Sequence, residues 1–172
     1  MAVELFSEAS SRSVTSAQIA RRAGVAVATV HNHFGSRPAL LAACRAHLES
    51  LAPTLESGIF AGQDRLAGRL AALVQAVFAR HASTAAAMRW ATAEAMTVPD
   101  LGAYLEGARA ERVRLIVQAM APGFDGSPPA SMIALAAALL DFPAWSSLAD
   151  DLGAPEAEDA VVSALTTLAR RR

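Results

Sequence analysis

Between Thr15 and Arg37 the chain reads TSAQIARRAGVAVATVHNHFGSR. Its chemistry-bearing groups are hydroxyls at Thr15, Ser16 and Thr29, an imidazole at His31, an amide at Asn32 and a guanidinium at Arg37. Small or branched apolar residues, Val27 and Ala28, lie among them. Amides and imidazoles hydrogen-bond base edges or phosphate, small apolar side chains touch thymine methyls, and a guanidinium pairs with phosphate. These are groups for contact, not for bond making. No Gly-rich phosphate loop, Ser-His-Asp spacing or Cys-x-x-Cys pair occurs in the chain. No nucleophile is marked, so no enzyme activity and no cofactor is expected. A metal is not expected either: His31 and His33, two residues apart on a helix, project about 200° apart and cannot close on one ion.

The charge distribution sets this stretch apart. The 172-residue chain has net charge −1, and all fifteen of its basic residues are Arg. From Ala9 to Leu48 there are five Arg, three His and no carboxylate, whereas from Glu49 onward ten Arg face fourteen acids. A cationic face on a nearly neutral protein points to a polyanion partner for that face alone. The length allows a small module joined to a larger one, with enough buried surface to fold without disulfide or metal. One cysteine, Cys44, excludes an intrachain disulfide framework and fits a reducing compartment. No wholly apolar run approaches the roughly 20 residues of a membrane span. The start, MAVELFSEAS, has no positive leader. A cytoplasmic protein with no membrane partner is expected.

The elements that must position these groups are all helical, because the valines do not alternate with polar residues as strands require. A first helix is expected to end near Ala9. Thr15 with Gln18 reads as a capping box opening a helix over Ser16–Ala23, stopped by Gly24. The next helix covers Ala26–Phe34 and ends at Gly35. Ser36 caps a fourth, which runs to Leu51 with Pro38 in its first turn. Further helices are expected over 63–81, 83–97, 100–120, 129–149 and 155–170, with Pro143 kinking the fourth of these.

On a helical wheel of about 100° per residue, Ala26, Val27, Val30, His33 and Phe34 share the inward face of the third helix. Ala28, Thr29, His31 and Asn32 lie outward or on the flanks. Ile19, Ala20 and Ala23 form the inward face of the helix before it, Arg21 and Arg22 point outward, and Val25 plugs the corner. This is helix-turn-helix construction. Its narrow outer face suits the major groove, and the N-termini at Thr15-Ser16 and Ser36-Arg37 present N–H groups to phosphate. A carboxylate here would repel the DNA backbone, which accounts for the absence of acids.

The string resembles the tetracycline-repressor (TetR) family of bacterial regulators. The resemblance runs through Glu4-Leu5-Phe6, Thr15-Ser16, Ile19-Ala20, Ala23-Gly24-Val25, Thr29-Val30, His33-Phe34, Ser36-Arg37 and Leu40-Leu41, without a gap. It covers about 40 residues; the remaining helices fit in number and length only. It implies an all-α protein with a helix-turn-helix DNA-binding module over 1–48 and a helical ligand-binding and dimerisation module over 49–172. It also implies a homodimer joined through its last two long helices, bound to a palindromic double-stranded operator. A small-molecule effector would relieve binding, so the expected role is a repressor. The chain departs from the family at Ala26, where a capping residue is usual, at Ala28, where glycine is usual, and at His31, where tyrosine is usual. Its first helix begins about half a helix late. An upstream start or weakened DNA binding is therefore expected, and a regulator-like ligand-binding or interaction protein with a vestigial DNA head is the alternative reading.

Phe78, Met88, Trp90, Met96, Tyr104 and Met120 are candidates to line a cavity for an apolar or aromatic effector, on the strength of that resemblance. Faces built from Leu135, Leu139, Val161, Leu165 and Leu168 suit a core or a subunit interface. His33 is expected to be packed and hydrogen-bonded, and His47 and His81 to lie on the surface. The acidic run around Asp150-Asp151 and Glu156 to Asp159 reads as a solvated helix start.

Overall fold

Eight α-helices and no strand make up residues 14–96 and 99–170, the part described by this computed structural model. We number them α1 (Ser16–Ala23), α2 (Val27–Phe34), α3 (Arg37–Leu51), α4 (Leu66–Glu94), α5 (Pro99–Met120), α6 (Ala130–Leu139), α7 (Phe142–Leu152) and α8 (Ala154–Arg170). The helix expected to end near Ala9 lies outside the described residues. Two short 3-10 turns, Ser57–Phe60 and Ala121–Gly123, precede α4 and follow α5.

The helices around 83 and 140 differ from expectation. The segments 63–81 and 83–97 form one 29-residue helix, α4. At the expected junction Ser83 turns its hydroxyl back to the Arg80 carbonyl at 2.9 Å and is accommodated within the helix. The segment 129–149 is two helices, and the break falls at Leu140-Asp141 rather than at Pro143. Asp141 is extended at the N-cap, so Pro143 sits in the first turn of α7. There its missing N–H removes no helix bond. α8 follows α7 directly after Gly153, whose φ is 85°.

The chain divides into two compact units. Among the described residues, the first comprises 14–52, 84–96 and 99–105, and the second 53–83 and 106–170. In the first unit Val14, Ile19, Ala20, Val30, Leu40, Leu41, Cys44, Trp90, Ala91 and Leu101 form one buried core, flanked by Phe34 and Leu105. The tail of α4 and the head of α5 thus complete the core of the helix-turn-helix. Burial pushes the Cys44 thiol above its ordinary pKa, so it behaves as a small core hydrophobe.

The second unit is built on Leu70, Leu73, Val74, Val77, Phe78, Leu115, Ile116 and Met120, with Met132, Leu140, Phe142, Trp145, Val161 and Leu165. Gly123 lets the turn after α5 lie against Leu66; a Cβ there would meet Leu66 Cδ2 at 2.8 Å. His81 is 4% exposed, not on the surface. Its Nε2 lies 3.0 Å from the Leu140 carbonyl, and its ring meets Phe142 edge-on at 5.5 Å. Buried Arg112 pairs with Asp141 beside it.

Among the described residues no single helix is long and apolar enough to cross a membrane. α6 and α7 together reach that length and composition but are bent by 53°. Met132, Ala136, Leu140, Phe142 and Trp145, along that pair, are buried within the protein.

Candidate nucleic-acid interface

Local hydrogen bonds fix the corner that carries α2. The Thr15 hydroxyl accepts from the Gln18 amide at 3.2 Å, and the Thr15 N–H donates to Gln18 Oε1 at 2.7 Å, closing the capping box. Gly24 ends α1 in the left-handed region at φ 67°, where a side chain would be strained. Val25 N–H then donates back to the Ala20 carbonyl at 3.0 Å. Ala26 holds the extended N-cap conformation of α2 without a side-chain cap. Gly35, at φ 68°, ends α2, and its N–H donates to the His31 carbonyl at 2.7 Å.

The second edge is the start of α3. Ser36 Oγ accepts from the Ala39 N–H at 3.3 Å. Arg37 reaches across the corner and donates to the Val14 carbonyl at 2.8 Å. Ser16, Val30, His31, Phe34, Gly35, Ser36, Arg37 and Leu40 surround an open hollow of about 350 Å³. Its polar rim is Ser16, His31, Ser36 and Arg37, with the first turns of α1 and α3 alongside. The arrangement can take an anion through hydroxyls, imidazole, guanidinium and backbone N–H groups.

On α2, Val30 is buried and Phe34 half-buried, which anchors one side of the helix. Val27, Ala28, Thr29, His31 and Asn32 are all exposed, as are Thr15 and Arg37; Ser16 is half-buried. Arg21 and Arg22 are exposed in the last turn of α1. Four inward placements fail: Ala26 and Val27 are exposed at the start of α2, and so are His33 and Val25. His33 is exposed and meets the Phe34 ring edge-on at 4.6 Å. At about 60° from the centre of the buried side, it escapes the core because only Val30 and Phe34 reach inward. Val25 is 43% exposed rather than a plug, because Ile19, Ala20 and Val30 already fill the corner.

Residues 1–44 match the family model described as bacterial regulatory proteins, tetR family. They form a TetR-family DNA-binding domain. The chain is therefore a transcriptional regulator whose TetR-type head is a binding module and not an enzyme. No curated protein and no solved structure shows significant similarity to the chain.

The six candidate cavity residues separate. Met88, Trp90 and Tyr104 come together in a crevice with Thr84, Ala87, Ala91 and Leu101. Its free volume is about 20 Å³, the room of a single water. Phe78 and Met120 are core residues of the second unit, and Met96 is 94% exposed. Thr84, Ala87, Ala91 and Leu101 line the crevice as well, outside the expected six. The spacing 84, 87, 88 and 91 puts Thr84, Ala87 and Ala91 on one helical face with Met88, a signal present in the sequence, whereas nothing local marks Leu101.

Proposed function

We propose that the regulator binds a palindromic operator as a homodimer and that a small apolar or aromatic effector releases it. Residues 1–48 act as the DNA-binding module, and 49–172 supply dimerisation and most of the effector contacts. In this reading α2 enters the major groove, with Val27, Ala28, Thr29, His31 and Asn32 toward base edges. Thr15, Ser16 and Arg37 hold the flanking phosphates. The observation that carries the reading is the exposed outer face of α2 in a stretch rich in Arg and without a carboxylate from Ala9 to Leu48. Two such faces in a dimer would meet half-sites about 34–36 Å apart.

The crevice at Met88, Trp90 and Tyr104 supports the effector site. It is smaller than the roughly 300 Å³ of ordinary ligand pockets, so an effector must widen it. Trp90, Ala91 and Leu101 belong at once to its wall and to the core beneath α1 and α3. Widening it repacks the head, which gives effector and operator opposing preferences within one body and makes their coupling reciprocal.

The test is a mobility-shift titration with duplexes from the protein's own promoter across salt concentrations. Specific binding that weakens steeply with salt, at a stoichiometry of two chains per site, is expected. Apolar and aromatic compounds that release the DNA should also change Trp90 emission in a Trp145→Phe background. A protein that binds its promoter no better than competitor DNA contradicts the reading and favours a vestigial head.

A further inference from the structure

Five large hydrophobic side chains stand exposed among the described residues, and two of them, Val25 at 43% and Val27 at 41%, lie two positions apart at the N-terminal end of α2. Ala26 and Ala28 are exposed beside them. That end of a recognition helix is the part that meets base edges. The sequence of α2, VATVHNHF, offers no Arg or Lys for guanine O6 and N7 and no carboxylate for cytosine N4. Its amide, Asn32, suits adenine N6 and N7. An apolar patch on a helix otherwise built for DNA needs an apolar feature inside a polyanionic groove, and the thymine 5-methyl group is that feature. An apolar protein partner fits less well. Arg21 and Arg22 are exposed in the last turn of α1, a few residues before the patch, and the stretch from Ala9 to Leu48 carries no carboxylate.

We propose that Val25, Val27 and Ala28 read thymine methyl groups, so that each half-site is built on A·T pairs with Asn32 on an adenine. This rests on the reading that α2 enters the major groove. Specificity then comes mainly from methyl contacts and the Asn32 amide, with Thr29 and His31 as secondary base-edge contacts and phosphate contacts supplying affinity.

Uracil tests it directly, because replacing thymine by uracil removes the methyl and keeps every hydrogen-bonding group. Duplexes retained by the full chain from a random library are sequenced first, and A·T pairs are expected at the core of each half-site. Each thymine of that core is then replaced by uracil. Affinity should fall about fourfold at each contacted position, the equivalent of about 0.8 kcal/mol for one buried carbon. Val27→Ala, at an exposed first-turn position, should abolish the uracil penalty at one thymine and leave it at the others. Retained duplexes with G·C cores, or specific binding indifferent to uracil, overturn the inference while leaving operator binding intact. Failure to retain any preferred sequence overturns both.

Discussion

The Arg37 guanidinium donates to the Val14 carbonyl, 23 residues earlier in the chain, at 2.8 Å. One side chain thus ties the start of α3 to the segment leading into α1, on the rim of the hollow that borders α2. In the proposed operator complex the same tether would orient a positive charge for phosphate. Structure and electrostatics are joined here, and substitution should reveal both.

Arg37→Ala should weaken binding to operator and competitor DNA alike and lower the salt slope by about one counterion. Loss of the tether should also cost about 1 kcal/mol of head stability. Asn32→Ala is the contrast. Asn32 is exposed, so stability should hold while sequence preference blurs, at about 1–3 kcal/mol for the contacted base. Parallel titrations on operator and scrambled duplexes separate the two. An Arg37 variant that lost only preference would reverse the assigned roles.

Ala26→Ser should stabilise the head by about 1 kcal/mol. Ala26 already has the extended N-cap backbone, φ −72° and ψ 149°, but no side-chain oxygen for the first N–H groups of α2. The Thr15 cap of α1 supplies the comparison, and Thr15→Ala should cost a similar amount. Denaturant midpoints of the two variants should move in opposite directions. Equal midpoints for Ala26→Ser and the parent would mean that water already satisfies those groups.

The head was legible because its signals are local. The capping box spans three residues, Gly24 and Gly35 mark left-handed turns, and missing carboxylates need no structure to be seen. The rest was less legible because its causes are distant. His81 stands between Arg80 and Ala82-Ser83, a polar-looking neighbourhood, yet its partners Leu140, Phe142 and Trp145 lie about sixty residues away. α4 also runs unbroken through Ser83, whose hydroxyl bonds back to the Arg80 carbonyl, and no local signal separates that from two shorter helices. The part of the head's core drawn from 84–105 was invisible for the same reason: Trp90 and Leu101 look like ordinary core residues of whatever they touch.

Leu135→Glu should dissociate the proposed homodimer. Leu135 is 51% exposed on α6, with Ala134 and Ala138 also exposed, whereas Val161 and Leu165 face the protomer's own core. A carboxylate at Leu135 would be desolvated at an interface but costs little on a free surface. Light scattering should show a shift from dimer to monomer with an unchanged helical spectrum, and operator affinity should fall with it. A variant that remains dimeric would place the contact elsewhere, on the exposed side of α8.

His81 gives the molecule an acid sensitivity of definite sign. Burial lowers its pKa from 6.5 to about 4, partly opposed by the Leu140 carbonyl and Asp141, while Arg112 and Arg80 reinforce the lowering. The folded state therefore holds His81 neutral where the unfolded chain has already taken a proton. Its contribution to stability is complete above about pH 6.5, is lost progressively as pH falls toward 4, and is flat below that. The loss is on the order of 3 kcal/mol if the full shift is expressed. The measurement is the denaturant midpoint from pH 7.5 to 4, compared with His81→Gln, which does not titrate. The parent should lose stability faster than the variant between pH 6.5 and 4. Parallel curves would mean that water enters beside Phe142 and Trp145 and hydrates the imidazolium at little cost.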